Sequence, residues 1–138
     1  MLNDYKIYAT FLFALESKFP AIQKSQVSFF TTKYNTGIAR GVIYFEDGIQ
    51  LCFLEHLNFS LARITSYSYE VWQGGQQLYF YDPQKHPDDF TLSDTFPHHK
   101  HIPPDIKHHR VPAPEIRFDR PNLEFLLREI ETSLLKDK

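Results

Sequence analysis

The stretch FEDGIQLCFLEHL, residues 45–57, decides the fold, because it joins a turn dipeptide to residues that tend to alternate in polarity. Asp47-Gly48 is a typical turn of a tight β-hairpin, and a period of two is typical of half-buried strands. Four more stretches with this period surround it: VSFFTTKYN, ARGVIYFE, ARITSYSYEVWQ and QQLYFYD. Residues 26–82 are therefore predicted to form an antiparallel, meander-like sheet of about five strands.

Helical spacing marks both ends of the chain. Apolar residues recur at intervals of three and four over residues 3–19, where Asn3 or Asp4 is a suitable N-cap. A second apolar stripe with this period runs through residues 120–135, and Asp119 is a plausible cap for it. The prediction is an α+β fold in which a helix from each end packs on the sheet.

The composition favours one compact domain over residues 1–138. Hydrophobic residues make up 42% of the chain and charged residues 23%, which is typical of a globular rather than a disordered protein. No apolar run is long enough to cross a membrane, and the first residues lack the basic start of a secretory signal. The single cysteine, Cys52, allows no disulfide within the chain, so we expect an inert thiol and a cytoplasmic location.

Residues 83–114 are rich in proline and histidine and are predicted to be a long loop. Long irregular segments in compact domains are often functional. The stretch FPHHKH, which ends at His101, holds three imidazoles and an ammonium group in four consecutive residues. If the chain is extended after the proline, His99 and His101 share one face, and His98 and Lys100 share the other.

The histidine cluster has three possible interpretations. Imidazoles titrate near neutral pH, so His99 and His101 are candidates for the acid and base of RNA cleavage, which removes a proton from a 2′-hydroxyl and gives one to the leaving 5′-oxygen. Lys100 would then offset the charge of the transition state. In the second interpretation the pair chelates zinc or nickel, with His86 or Asp82 as a further ligand. In the third the cluster is a solvated basic loop.

The stretch YFYDPQKHP carries further candidates where the last predicted strand ends. Asp82 either orients an imidazole, such as that of His86, by accepting its second N–H, or is a turn residue before a proline. Tyr81 and Tyr69 are either stacking platforms for RNA bases or core residues of an aromatic-rich sheet. Glu55, on an earlier strand, is interpreted as an edge or surface residue.

A second basic run comprises Lys107, His108, His109 and Arg110. It is either a phosphate-contacting patch or a solvated arm. The net charge of −2 argues against broad adhesion to nucleic acid, so an RNA contact is expected only near this segment. The chain has no P-loop, dinucleotide fingerprint, paired zinc cysteines or serine nucleophile elbow, which excludes many common enzyme classes.

The order of these motifs resembles the TumE-like toxin family of bacterial toxin–antitoxin modules. The resemblance runs from about Val42 to the last helix, and its most specific element is Tyr-Asp followed by a histidine and then by Pro-His-His-Lys-His. The family-typical positions are Tyr69, Tyr81, Asp82, His86, His98, His99, Lys100 and His101. The chain departs from the pattern at Phe80, where the family often has arginine, and the basic run that ends at Arg110 is a candidate to replace that cation.

The resemblance implies a toxin that is paired with a helix-turn-helix antitoxin and for which a ribonuclease activity is suggested. We therefore expect an endoribonuclease that cleaves RNA without a metal or other cofactor. The candidate catalytic residues are His99, His101, Lys100, Asp82, His86 and His98, and the candidate substrate-binding residues are Tyr81, Tyr69, Lys107, His108, His109 and Arg110. The alternative is a module without catalysis that binds zinc or nickel through His99, His101 and His86, or that binds the antitoxin through the same cluster.

Overall fold

The structure, a computed structural model, describes residues 1–135 and combines helices with one antiparallel sheet. The helices are α1 (Tyr5–Phe13), α2 (Leu15–Lys18) and α3 (Leu123–Ser133). The strands are β1 (Lys24–Thr31), β2 (Thr36–Tyr44), β3 (Ile49–Asn58), β4 (Arg63–Gln73), β5 (Gln76–Asp82), β6 (His99–His101) and β7 (Arg110–Pro112). Short 3₁₀ helices cover Glu46–Gly48 and Phe90–Thr95. The predicted α+β class is confirmed, with helices near both ends.

Within the described residues, seven strands form the sheet, and each pairs antiparallel with its neighbour in the sequence. This order confirms the predicted meander but corrects its size, since the sequence predicts about five strands. The two additional strands, β6 and β7, lie within residues 83–114, which the sequence predicts to be a loop. Each has only three residues, which is too short for an alternation of polarity to be recognised.

The hairpin between β2 and β3 turns at the predicted dipeptide. Asp47 and Gly48 have φ values of 63° and 73°, the left-handed conformation that a tight hairpin turn requires. Glycine adopts it without steric cost, and aspartate tolerates it better than most residues do. The turn sets the register in which Leu51, Phe53 and Glu55 of β3 all point to the same side of the sheet.

The predicted N-terminal helix is present but is divided at Ala14 into α1 and α2. Asp4 caps α1, because its side chain accepts a hydrogen bond from the backbone N–H of Lys6 at 2.9 Å. In the part of the chain that the structure describes, no helix is both long and apolar enough to cross a membrane.

The C-terminal helix begins at Leu123, later than residue 120, where the sequence predicts it. Its N-cap is Asn122, whereas Asp119, the predicted cap, pairs with Arg117 at 2.7 Å. The Asn122 side chain instead holds the preceding loop: it accepts from the Arg117 backbone N–H at 3.0 Å and donates to the Arg117 carbonyl at 2.8 Å. This buried asparagine therefore positions the start of α3 against the sheet.

The core lies between the helices and one side of the sheet, which we call the helix face. Its main buried side chains are Tyr8, Leu12, Ala39, Ile43, Leu51, Phe53, Tyr69, Val71, Tyr79, Tyr81, Leu126 and Ile130. Strand alternation directs the intervening residues to the opposite side, which we call the open face. Cys52 lies there, where burial and then the charge of Glu70 raise the pKa of its thiol. A raised pKa keeps the thiol protonated and unreactive.

Candidate functional site

Four predicted site residues meet on the open face, where β5, β6 and β7 lie side by side. In the register of β5 and β6, Asp82 is opposite His99 and Phe80 is opposite His101. The pair between these two, Tyr81 and Lys100, points to the helix face, because side chains alternate along a strand. His86, from the segment after β5, is the fourth of these residues. The three-residue strand β6 thus places both of its histidines beside the aspartate.

The three polar side chains on these strands converge on one point. His99 Nε2 lies 3.0 Å from Asp82 Oδ1, and His101 Nε2 lies 3.6 Å from Asp82 Oδ2. The two Nε2 atoms are 2.9 Å apart. We call Asp82, His99 and His101 the Asp–His centre.

Backbone carbonyls determine which ring nitrogen of each histidine faces this centre. His99 Nδ1 donates to the carbonyl of Pro97 at 3.1 Å, and His101 Nδ1 donates to the carbonyl of Ile106 at 2.9 Å. Since a carbonyl only accepts, both Nδ1 atoms carry a hydrogen, and a neutral ring then has only a lone pair at Nε2. Two lone pairs and a carboxylate repel one another at these distances, so the centre is suited to hold a shared proton or a metal ion.

Burial and hydrogen bonding favour a neutral His101 and a charged Asp82. His99 and His101 are only 1% and 4% exposed, whereas the Asp82 side chain is 26% exposed. Burial lowers the pKa of His101 because a charged ring is poorly solvated there. Burial alone would raise the pKa of Asp82, but the hydrogen bonds from His99 and from the Gln84 backbone N–H outweigh it and lower that pKa. The centre therefore presents a carboxylate to the solvent and buries its imidazoles behind it.

His86 and Arg110 close the centre on one side. The ring of His86 packs against that of His99 with 4.8 Å between the ring centroids. Arg110 Nη1 lies 2.7 Å and 2.8 Å from the two ring nitrogens of His86. Arginine only donates, so this contact needs a neutral His86, and burial followed by the charge of Arg110 does lower the pKa of His86. The ligand atoms of His86, His99 and His101 all lie within 4.8 Å of one another.

Phe80 packs against one member of the centre. Its ring stacks on that of His101, with 3.9 Å between the centroids and 10° between the planes. Arg110 is opposite His101 in the register of β6 and β7, so the basic run brings one guanidinium group to this side of the sheet. A cation is therefore present near the centre despite the phenylalanine.

Lys100 lies on the opposite side of the sheet from the Asp–His centre. Its Nζ is 3.0 Å from Oε2 of Glu129 on α3 and 4.1 Å from the centre of the Tyr79 ring. The Tyr81 hydroxyl donates to the same carboxylate at 2.7 Å, and Tyr81 is 2% exposed. Strand alternation and α3 therefore hold Lys100 and Tyr81 on the helix face, away from the Asp–His centre with which the sequence analysis associates them.

Tyr69 and His98 also belong to the helix face rather than to the centre. Tyr69 is fully buried, and its hydroxyl donates to Glu55 at 2.6 Å. His98 Nδ1 lies 2.6 Å from the Tyr67 hydroxyl, and the two rings stack. Burial lowers the pKa of His98. A buried tyrosine cannot stack on a base, and the His98 ring is held by its contact with Tyr67. The structure therefore places Tyr69 and His98 outside the site in which the sequence predicts them.

The four residues of the basic run surround the centre unevenly. Lys107 is exposed and lines a groove that ends at Asp82. His108 pairs with Asp105 at 3.1 Å on the surface, and His109 is also exposed. Arg110 is the member that contacts His86. Lys107 and Arg110 therefore border the centre, whereas His108 and His109 are directed to the solvent.

Replacing Lys100 by methionine is expected to destabilise the fold without a specific effect on chemistry. The Glu129 carboxylate is only 14% exposed, so losing its cation is expected to cost about 1–3 kcal/mol, the usual range for an under-satisfied buried group. Lys107→Met is the matched control, because it removes an exposed cation from the open face. Urea denaturation should separate the two variants. A Lys100→Met protein with normal stability and altered activity would contradict this assignment.

A second buried carboxylate, Glu55 on β3, is missing from the predicted site residues. It is fully buried on the helix face and accepts hydrogen bonds from the hydroxyls of Tyr8 and Tyr69. Asn122 Nδ2 donates to the Tyr69 hydroxyl at 3.1 Å, which links the group to the start of α3. The sequence predicts an edge or surface position for Glu55, but its inward register within β3 is the signal that could have identified it.

Comparison with protein families gives a match to the family described as Toxin TumE over residues 11–134. The matched range contains every strand of the sheet, the Asp–His centre and α3. No curated protein and no solved structure gives a significant match.

Proposed function

This chain belongs to the TumE toxin family, and we propose that it is the toxin of a toxin–antitoxin module that acts by cleaving RNA. A toxin of this kind implies an antitoxin partner, for which we propose a helix-turn-helix protein. The observation that carries the proposed activity is the convergence of His99 Nε2 and His101 Nε2 on the partly exposed Asp82 carboxylate. RNA, with its 2′-hydroxyl, supplies the nucleophile that such proton-transfer groups activate without a cofactor.

In this proposal the histidine pair is the proton donor. One proton held between two Nε2 atoms that are 2.9 Å apart removes the repulsion of their lone pairs, and Asp82 balances its charge. Asp82 lies closer to His99 Nε2, at 3.0 Å, than to His101 Nε2, at 3.6 Å, so the proposal assigns the proton to His99. A separation of 2.9 Å is too small for the two rings to stand on opposite sides of a phosphorus atom. The pair therefore supplies the acid only, and the base must be another group.

His86 is the proposed base, and its contact with Arg110 determines when it can accept a proton. Arg110 Nη1 lies within hydrogen-bond distance of both ring nitrogens of His86, so it occupies the space beside the lone pair that His86 needs for this role. A phosphate of the substrate competes for the guanidinium group, since charge-assisted bonds to phosphate are stronger than those to a neutral ring. Substrate binding thus frees the lone pair of His86 and places a cation against the phosphate at the same time.

The proposed reaction balances without a metal or redox partner. The 2′-hydroxyl proton passes to His86 as the 2′-oxygen forms a bond to phosphorus. The bond from phosphorus to the 5′-oxygen breaks, and the proton of His99 passes to that oxygen through the partly exposed Asp82 carboxylate. The products carry a 2′,3′-cyclic phosphate and a 5′-hydroxyl, and exchange of protons with water restores both histidines.

The test is cleavage of an end-labelled RNA by purified protein in EDTA. We expect cutting that leaves 2′,3′-cyclic phosphate ends, and we expect none at a site whose nucleotide carries a 2′-deoxy substitution, because the nucleophile is then absent. Cutting of the deoxy-substituted site would refute this mechanism. Cutting that requires added zinc or nickel would replace it with a metal-dependent one.

A second candidate function is metal binding, which one specific observation favours. The nitrogen atoms of His86, His99 and His101 lie within 4.8 Å of one another, and the Nδ1 hydrogens of two of them are held by backbone carbonyls. Such outer contacts commonly orient histidines that bind a metal. This candidate predicts that zinc or nickel binds in equimolar amount and that His86→Ala weakens it. Failure to retain either ion after dialysis would reject it.

A further inference from the structure

A continuous trough crosses the open face and ends at the Asp–His centre. Its outer half, about 460 Å³, lies across β1 to β4, and its inner half, about 400 Å³, runs from β4 to Asp82 and Lys107. Ser68 and Glu70 line both halves, so the two halves adjoin at β4. Neighbouring strands are about 4.8 Å apart, which makes the path from β1 to β5 about 19 Å long. This length suits several nucleotides rather than one.

The lining of the trough combines apolar side chains with uncharged polar ones and with the carboxylates of Glu70 and Asp82. Gln26, Ser28 and Ser68 line the outer half, and Gln77 lines the inner half. Gln77 also donates to Glu70 at 2.8 Å, which holds that carboxylate in place. Amide and hydroxyl groups can both donate and accept, so they suit the edges of unpaired bases and the 2′-hydroxyl groups of RNA.

Two exposed cations mark the ends of the trough. Arg40 on β2 lines the outer half, and Lys107 lines the inner half close to the centre. Cations at these places suit the phosphates of a strand whose bases lie over the middle of the trough. Phe80 also lines the inner half and provides an aromatic ring for base stacking beside the reacting group.

We infer that the trough binds the nucleotides beside the cleaved bond as an extended single strand, with Arg40 on a phosphate remote from the reaction. This inference rests on the proposed RNA cleavage and adds its substrate class: unpaired RNA that extends several nucleotides to one side of the cleaved bond. The bases of a duplex are already paired, whereas the bases of an unpaired strand can stack and hydrogen bond along the lining.

The test compares Arg40→Ala with Arg128→Ala as a matched control. Arg128 is an exposed arginine on α3 that pairs with Glu124 at 2.6 Å, so its loss changes the net charge equally but leaves the trough intact. Binding of a fluorescent unpaired oligonucleotide, with a 2′-deoxy block to prevent cutting, is measured against salt concentration. For Arg40→Ala we expect the slope of log affinity against log salt to fall by about 0.7, one phosphate contact to a single strand. Arg128→Ala should keep the slope of the wild type.

Cleavage kinetics distinguish this inference from the proposed activity. Arg40→Ala should lower kcat/KM for a long unpaired RNA but leave cleavage of a dinucleotide unchanged, because the dinucleotide does not reach the outer half. An equal loss on both substrates, or an unchanged salt slope, would overturn the trough as an RNA site. Loss of antitoxin binding with RNA binding intact would also overturn it, in favour of a protein-docking face. Absence of cleavage by the wild type would refute the proposed activity alone, since the binding experiment does not depend on cutting.

Discussion

Replacement of His99 by asparagine is expected to lower the rate of RNA cleavage by about 10²- to 10⁴-fold, the usual contribution of a general acid. The asparagine amide can still donate to the Pro97 carbonyl, as His99 Nδ1 does at 3.1 Å, so the variant should remain folded. What it loses is the proton that lies beside Asp82. Single-turnover cleavage, with thermal melting of both proteins to verify folding, measures the effect.

The matched control is His56→Asn, because His56 is an exposed histidine on β3 that lies outside the site. It should cleave like the wild type. The ratio of the cleavage rates of wild type and His99→Asn should be the same after metal ions are removed, since the proposed acid is a protein group. A folded His99→Asn protein that cuts RNA at the normal rate would exclude the Asp–His centre as the source of the proton.

The pH profile of this reaction should be bell-shaped. The structure predicts the direction in which its acidic limb is shifted. Burial and the charge of Arg110 lower the pKa of His86 from the ordinary value of 6.5. The base is therefore still neutral at pH values at which an exposed histidine is protonated, and kcat/KM should fall only below that ordinary value. The alkaline limb requires an acid in the site, so it should disappear in His99→Asn.

Replacement of Glu55 by glutamine is expected to remove a pH-dependent loss of stability. Burial raises the pKa of Glu55 from 4.5 to about 6, although its hydrogen bonds to Tyr69 and Tyr8 oppose the shift. The folded protein therefore binds a proton more tightly than the unfolded chain. The stabilisation from protonated Glu55 is complete below pH 4.5 and is lost as the pH rises through about 6. A shift of this size is worth about 2 kcal/mol.

Urea denaturation of wild type and Glu55→Gln at several pH values measures this effect. The free energy of unfolding of the wild type should decline relative to the variant between pH 4.5 and 6, because glutamine has no proton to lose. The difference between the two proteins removes the contributions of Asp82, His101 and the other titrating groups. Glu46→Gln, at the exposed turn before β3, is the control and should follow the wild type. Parallel curves for wild type and Glu55→Gln would show that Glu55 titrates normally.

Local sequence signals predicted the parts of the fold that depend on neighbouring residues. The Asp47-Gly48 dipeptide specified its turn because few residues tolerate the left-handed conformation found there. Alternation along FPHHKH likewise separated His99 and His101 from Lys100, as β6 does in the structure. Both outcomes follow from backbone geometry within a few residues, which a sequence displays directly.

Local sequence signals do not predict contacts between segments that are far apart in the chain. Glu129 on α3 captures Lys100 across the sheet, and no local pattern links two residues from a strand and a helix so far apart in the chain. Glu55 acquires its partners from α1 and β4 in the same way. The strands β6 and β7 depend on pairing with β5 rather than on their own three residues, so a proline-rich segment was predicted to be a loop.

The sequential strand order has a consequence for synthesis on the ribosome. Every strand pairs with the one made just before it, so the hairpins of β1 to β4 can form while later residues are still being translated. The Asp–His centre needs β5 and β6, and Arg110 joins it only with β7. A nascent chain therefore carries a nearly complete scaffold before it carries the proposed reactive groups. For the proposed cleavage of RNA, this order predicts that the message being translated is not cut before the product is almost finished.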